Sequence, residues 1–150
     1  LKISGTGEAE IVSIDFILDD GGCRKTESPS DSCFIISQGV SATARLKFDV
    51  LRENSMVAIN LVVVDASMTP IIAVPVYSSN GEAAALAGPH IEIDIPLGKI
   101  ELNSGQYSIT INITDISTRE VLLKAQGLMP FRVRSSRTDW ARIIRPALFN

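Results

Sequence analysis

The sequence is poor in the residues that most often do chemistry. It has one histidine, two cysteines and one tryptophan, and aromatic side chains make up only 5% of its 150 residues. A Ser/His/Asp or Cys/His site would have to use His90, and nothing near it in sequence resembles a nucleophile elbow. His90 falls on the polar side of an alternating run and reads as an exposed strand histidine. Cys23, Cys33 and His90 have no familiar zinc-ligand spacing. No GxxxxGK[ST] or GxGxxG loop occurs, so neither ATP nor any other cofactor is expected to bind.

Long apolar runs are missing as well. No stretch approaches the ~20 residues of a membrane span, and the opening Leu1-Lys2-Ile3-Ser4-Gly5 has no apolar signal-peptide region. It also lacks an initiator Met, which suggests a piece of a longer chain. Two cysteines make no disulfide framework; Cys23 and Cys33 read either as a bridged loop or as two reduced thiols. The formal net charge is −3, with Lys and Arg spread along the chain. Nucleic-acid binding needs clustered cations, and the one cluster is Arg132, Arg134, Arg137, Arg142 and Arg145. It reads as a solvated tail, with phosphate binding as the alternative, and no nucleic-acid partner is expected.

What the chain does have is a period of two. Residues 41–50 set Ala42, Ala44, Leu46, Phe48 and Val50 against Ser41, Thr43, Arg45, Lys47 and Asp49. Residues 90–97 oppose Ile91, Ile93, Ile95 and Leu97 to His90, Glu92, Asp94 and Pro96, and residues 106–114 oppose Tyr107, Ile109, Ile111 and Ile113 to Ser108, Thr110, Asn112 and Thr114. Such alternation marks strands with one buried and one wet face. Residues 10–18 offer Ile11, Ile14, Phe16 and Leu18 to a core, with a bulge expected near Val12-Ser13, where alternation breaks. Residues 56–64 form an apolar strand interrupted by Asn60. Residues 71–77 form an edge strand, because Pro75 cannot donate to a ladder. Two further strands are expected at 120–125 and 128–134, and residues 140–149 read as a short turn or a final strand. Turn signals separate these runs, residues 78–88 read as a long loop, and no amphipathic helix appears. The pattern describes one all-β domain over residues 1–150, a sandwich or a barrel; an immunoglobulin-like β-sandwich of two antiparallel sheets is taken as the working assumption.

Placing 41–50 and 90–97 in one sheet and 56–64, 106–114 and 128–134 in the other separates two outer faces. The first carries Arg45, Lys47, Asp49, Glu92 and Asp94, a mixed-charge face suited to water. The second carries Ala58, Asn60, Val62, Val64, Ser108, Thr110, Asn112 and Thr114, nearly uncharged, with Arg132 beside it. Amides, hydroxyls and small apolar groups match what sugars present; packing against another protein is the alternative. Acidic pairs exist at Asp19/Asp20 and Glu92/Asp94. A glycosidase needs two carboxylates about 5–10 Å apart across a cleft, and these sit among charges that read as solvated.

Three segments carry a family resemblance: Gly5-Thr6-Gly7-Glu8-Ala9-Glu10-Ile11, Leu102-Asn103-Ser104-Gly105-Gln106-Tyr107 and Phe131-Arg132-Val133. In this order and spacing, over roughly residues 5 to 134, they resemble the C-terminal carbohydrate-binding domain of Wzt-type ATPase subunits of O-antigen ABC exporters. The resemblance implies a non-catalytic domain that recognises the non-reducing end of a bacterial polysaccharide. It also implies a nucleotide-binding domain in the same chain, a membrane subunit as partner and a cytoplasmic place at the inner membrane. Homodimers are implied too, with residues 128–150 as the segment exchanged. Gly105 and Tyr107 read as scaffold, the glycine as a turn that a β-branched residue could not make and the tyrosine as a corner bonded back to nearby backbone. Phe131 and Val133 read as core. Ala66-Ser67-Met68-Thr69-Pro70 stands where the family usually has a glycine-centred turn. The residues expected to touch glycan are Asn60, Thr110, Asn112 and Arg132 by hydrogen bonds and Tyr77 by stacking, with Trp140 a further aromatic candidate. A protein-docking sandwich without glycan binding is the rival reading.

Overall fold

The computed structural model describes residues 1–20, 34–76 and 85–135, and the backbone of 23–26. Within these, eleven strands form: β1 (Lys2–Ser4), β2 (Ala9–Leu18), β3 (Cys23–Thr26), β4 (Phe34–Ser37), β5 (Ser41–Val50), β6 (Met56–Asp65), β7 (Pro70–Pro75), β8 (Leu86–Ala87), β9 (His90–Lys99), β10 (Gly105–Asp115) and β11 (Val121–Arg134). The small sheet has the order β3-β2-β5-β9. The large sheet runs β1-β11-β10-β6-β7, with β4 added to β11 and β8 to β6. All pairs are antiparallel except β4 on β11.

Alternation predicts which side of each strand is buried. Ala42, Ala44, Leu46, Phe48 and Val50 line the core from β5; Val57, Ile59, Leu61 and Val63 do so from β6, and Tyr107, Ile109, Ile111 and Ile113 from β10. In β2 the register slips between Ile11 and Ser13. The extra residue moves the buried set from Ala9 to Ile14, Phe16 and Leu18 and leaves Val12 exposed. Phe16 of the small sheet meets Phe34 and Phe131 of the large one edge-on at 5.7 and 5.8 Å, and Tyr107 stacks on Phe131 at 5.7 Å. These rings join the two layers. On β9, at the sheet edge, only Ile95 is fully buried, and Ile91, Ile93 and Leu97 are half-buried.

Four details differ from the sequence reading. The strands expected at 120–125 and 128–134 are one strand, β11, whose register slips three times opposite β10; two of the slips flank Leu128, whose pairing with Ile109 bridges the two halves. The expected loop 78–88 contains β8, which pairs Met56–Val57; residues 77–84 lie outside the described ones. Short strands β1, β3 and β4 carry too few residues to show a period. The glycine-like turn after β6 is made by Met68 at φ 62°, with the Asp65 carboxylate accepting from the Ser67 and Thr69 amides at 2.9 Å. Cys33, Tyr77, Trp140 and residues 136–150 lie outside the described residues, as does the side chain of Cys23.

Candidate functional site: the outer side of the large sheet

Register assembles the uncharged shelf. Across β6 and β10, Asn60 faces Asn112, Val62 faces Thr110, Val64 faces Ser108 and Ala58 faces Thr114. Beyond β10, Lys124 of β11 continues the asparagine row, and Arg132 stands beside Gln106. All these side chains point away from the core because their neighbours of opposite parity fill it.

The shelf is not uniformly wet. Arg132 is exposed and Asn60 and Asn112 are half-buried, whereas Thr110 and Val64 retain only 5% and 3% of their surface. Among the described residues, Asn60 Oδ1 and Thr110 Oγ1 are buried without a hydrogen-bond partner. Thr110 is one step diagonally from Asn60, since it pairs Val62 while Asn60 pairs Asn112. A buried polar atom left unpaired costs about 1–3 kcal/mol, so the fold carries a local penalty at this pair. Four of the five residues chosen from sequence, Asn60, Thr110, Asn112 and Arg132, thus share one side of one sheet.

The opposite face is paired rather than merely solvated, which corrects the sequence reading. Arg45 grips Asp94 through two nitrogens at 2.8 and 3.1 Å and lies 3.8 Å from Glu92. The Arg45 hydrogen bonds hold Asp94 below the usual carboxylate range. Both carboxylates thus lie against the one Arg45 guanidinium. His90 is exposed, with Nδ1 2.7 Å from Asp49 Oδ1. No hydrogen bond joins it to a serine or cysteine among the described residues. Those residues also hold no group of three or more His, Cys, Asp or Glu side chains suited to a metal, and no helix is long and apolar enough to cross a membrane.

The motif residues are scaffold. The Tyr107 hydroxyl donates to the Asn103 carbonyl at 2.7 Å. Gly105, expected as an obligatory turn glycine, has no left-handed φ, and an added methyl would meet the Tyr107 ring at an ordinary 3.5 Å. Gly5 is the constrained one: at φ 105° its missing Cβ would lie 2.9 Å from the Val121 and Leu122 carbonyl oxygens. The Thr6 and Gly7 amides donate to those same carbonyls at 3.1 Å.

Sequence reasoning missed a polar clamp at one end of the sandwich. Arg52 binds Glu8 at 2.6 and 2.9 Å and reaches Glu120 at 3.4 Å and Asp115 at 3.6 Å. The Ser55 hydroxyl donates to Asp115 Oδ2 at 2.6 Å, which with the Thr118 amide lowers the Asp115 pKa to about 2. These residues belong to three segments far apart in sequence, so neither the Glu8 motif nor the turn signal at residues 52–55 showed that they meet. Beside the clamp lies an open cleft of about 810 Å³ between residues 50–56 and 87–89. One guanidinium draws three carboxylates together, which makes the clamp a fastening with residual negative charge.

The architecture defines an immunoglobulin-like β-sandwich with one mixed-charge face and one nearly uncharged one. Among solved structures, the chain is similar to the crystal structure of the C-terminal domain of Wzt, with a TM-score of 0.72 and 15% identity over 99% of this chain and 87% of that one. This is the fold that the three motif segments pointed to. No protein-family model matches the sequence, and no curated protein matches it.

Proposed function

We propose that the chain is a non-catalytic recognition domain for a bacterial surface polysaccharide of O-antigen type, which it meets at the polymer's non-reducing end through the outer side of the large sheet. The observation that carries this reading is one side of one sheet on which register sets Asn60, Asn112, Ser108 and Thr114 together with Arg132 at the edge, hydrogen-bonding groups almost without charge. Their amides and hydroxyls can exchange hydrogen bonds with sugar hydroxyls. Asn60 and Asn112 offer amides from the middle of the shelf, Thr110 forms its floor and Arg132 its exposed rim; Tyr77 would stack on a ring. The Wzt-like fold supports the wider setting: the C-terminal part of an ABC exporter's ATPase subunit, dimeric, cytoplasmic and held at the inner membrane by the transporter. Single-site affinity in the micromolar-to-millimolar range corresponds to about −8 to −4 kcal/mol, and a dimer would add avidity.

One observation favours a second reading. Ile35, beside Arg132 on this side, is 44% exposed, and Ala58 and Val62 are half-buried, an apolar share that suits a face that docks protein. Binding of the chain to its host's purified surface polysaccharide, with an unrelated polysaccharide as control, separates the two. Selective, saturable binding that weakens in the Asn60→Ala/Asn112→Ala variant, with assembly unchanged, supports recognition. A folded chain that binds no polysaccharide, or a double variant that loses assembly and keeps glycan binding, supports docking.

A further inference from the structure

The outer side of the large sheet is segregated by charge in a way that the chain's composition does not favour. Register places Lys124 between Asn112 and Ser4, and Lys2 beside Gln126, two residues along β1. Arg132 lies between Gln106 and Ile35, and Arg134 beside Ser37. No aspartate or glutamate takes an outward position between Lys2–Ser4, Phe34–Ser37, Ala58–Val64, Gln106–Thr114 and Lys124–Arg134. Yet acidic residues outnumber basic ones in the chain, 17 to 14. Elsewhere two arginines are neutralised, Arg45 by Asp94 and Arg52 by Glu8 and Glu120, while Lys47, Lys99 and Arg119 stand without an ion pair among the described residues. Among the described residues, Lys2, Lys124, Arg132 and Arg134 make no ion pair.

We infer that the polysaccharide this side takes is anionic, with carboxylate or phosphate groups meeting these four cations while its hydroxyls meet the amides between them. The inference rests on the reading of this side as glycan-binding and adds the ligand's class. Spacing argues for a polymer. The rows of Lys124 and Arg132 are six β10 residues apart, about 20 Å at ~3.4 Å per residue. That exceeds the ~8 Å screening length at physiological salt, so one small anion cannot engage both ends, whereas a charged repeat can. The outward positions hold no aromatic ring among the described residues, so the stacking platform that single-stranded nucleic acid uses is lacking.

The test is binding of the chain to a panel of bacterial surface polysaccharides, each as the native acidic polymer and as its carboxyl-reduced or dephosphorylated counterpart. Vesicles containing anionic lipid complete the panel. Acidic polymers should bind at least about tenfold more tightly than their neutral counterparts, with affinity falling as salt rises. The Lys124→Gln/Arg132→Gln variant should lose that preference while keeping its unfolding midpoint. Equal binding of acidic and neutral forms, unchanged in the variant, overturns the inference and leaves glycan recognition standing. Binding to the vesicles alone overturns it in favour of a membrane surface, and a folded chain that binds nothing overturns both readings.

Discussion

Arg52 holds Glu8 in a two-pronged ion pair, Nη2 to Oε1 at 2.6 Å and Nε to Oε2 at 2.9 Å, and so ties the segment before β2 to the turn after β5. The same guanidinium reaches the β10–β11 turn through Glu120 and Asp115, which makes it the fastening between the two layers at this end.

The clamp predicts an acid limb in stability. Asp115 titrates at about 2 in the fold, mainly through the Ser55 hydrogen bond, and Glu8 is lowered by its hydrogen bonds from Arg52. Unfolded carboxylates titrate near ~4, so between these values the unfolded chain binds more protons. The stabilisation is therefore complete above pH ~4–5 and is lost as pH falls toward 2. Denaturant midpoints measured from pH 7 to 2 should hold level and then drop. In Asp115→Asn the midpoint should be lower at pH 7 and the drop shallower; an unchanged drop would remove Asp115 from the account.

Two glycines of the recognised motifs should respond in opposite ways. Gly5→Ala forces a methyl against two carbonyl oxygens at a positive φ and should cost more than about 2 kcal/mol or prevent folding. Gly105→Ala adds only an ordinary contact to the Tyr107 ring and should fall within about 0.5 kcal/mol of wild type. Tyr107→Phe removes the hydroxyl's bond to Asn103 and should cost about 1 kcal/mol. Equilibrium unfolding of the three variants checks this order.

Met68 occupies a left-handed position that a side chain adopts at a cost of roughly 1–2 kcal/mol. Met68→Gly relieves it, less the larger chain entropy that glycine loses on folding. A net gain of about 0.5–1 kcal/mol is expected in thermal or denaturant unfolding; a loss would show that Met68 contributes contacts that outweigh the strain.

Thr110 joins stability to function. Its buried Oγ1 has no partner among the described residues, so Thr110→Val, close in shape, should stabilise the chain by about 1 kcal/mol. On the proposed reading of this shelf, the same change at its floor should weaken polysaccharide binding. Greater stability with unaltered binding would take Thr110 out of the site.

Much of the fold is legible in the sequence. Alternation marks the buried side of β5, β9 and β10, Asn60 alone interrupts the apolar run of β6, and the break at Val12-Ser13 marks the bulge in β2. The tyrosine corner shows because Tyr107 and its acceptor Asn103 are four residues apart. Asn60, Thr110, Asn112 and Arg132 fall together on one side once an order of strands is assumed.

All of that is local information: a side chain's parity and its near neighbours follow from the pleat, and sequence alone determines them. Tertiary structure decided what depends on partners far along the chain. It joined two expected strands into β11, laid β4 parallel beside it, and brought Arg52 to Glu8 across 44 positions. Among the described residues it also left Asn60 Oδ1 and Thr110 Oγ1 buried and unanswered, and gathered four cations on one side without a carboxylate. Burial and charge balance are sums over every element that arrives at a place, and no window of sequence contains them.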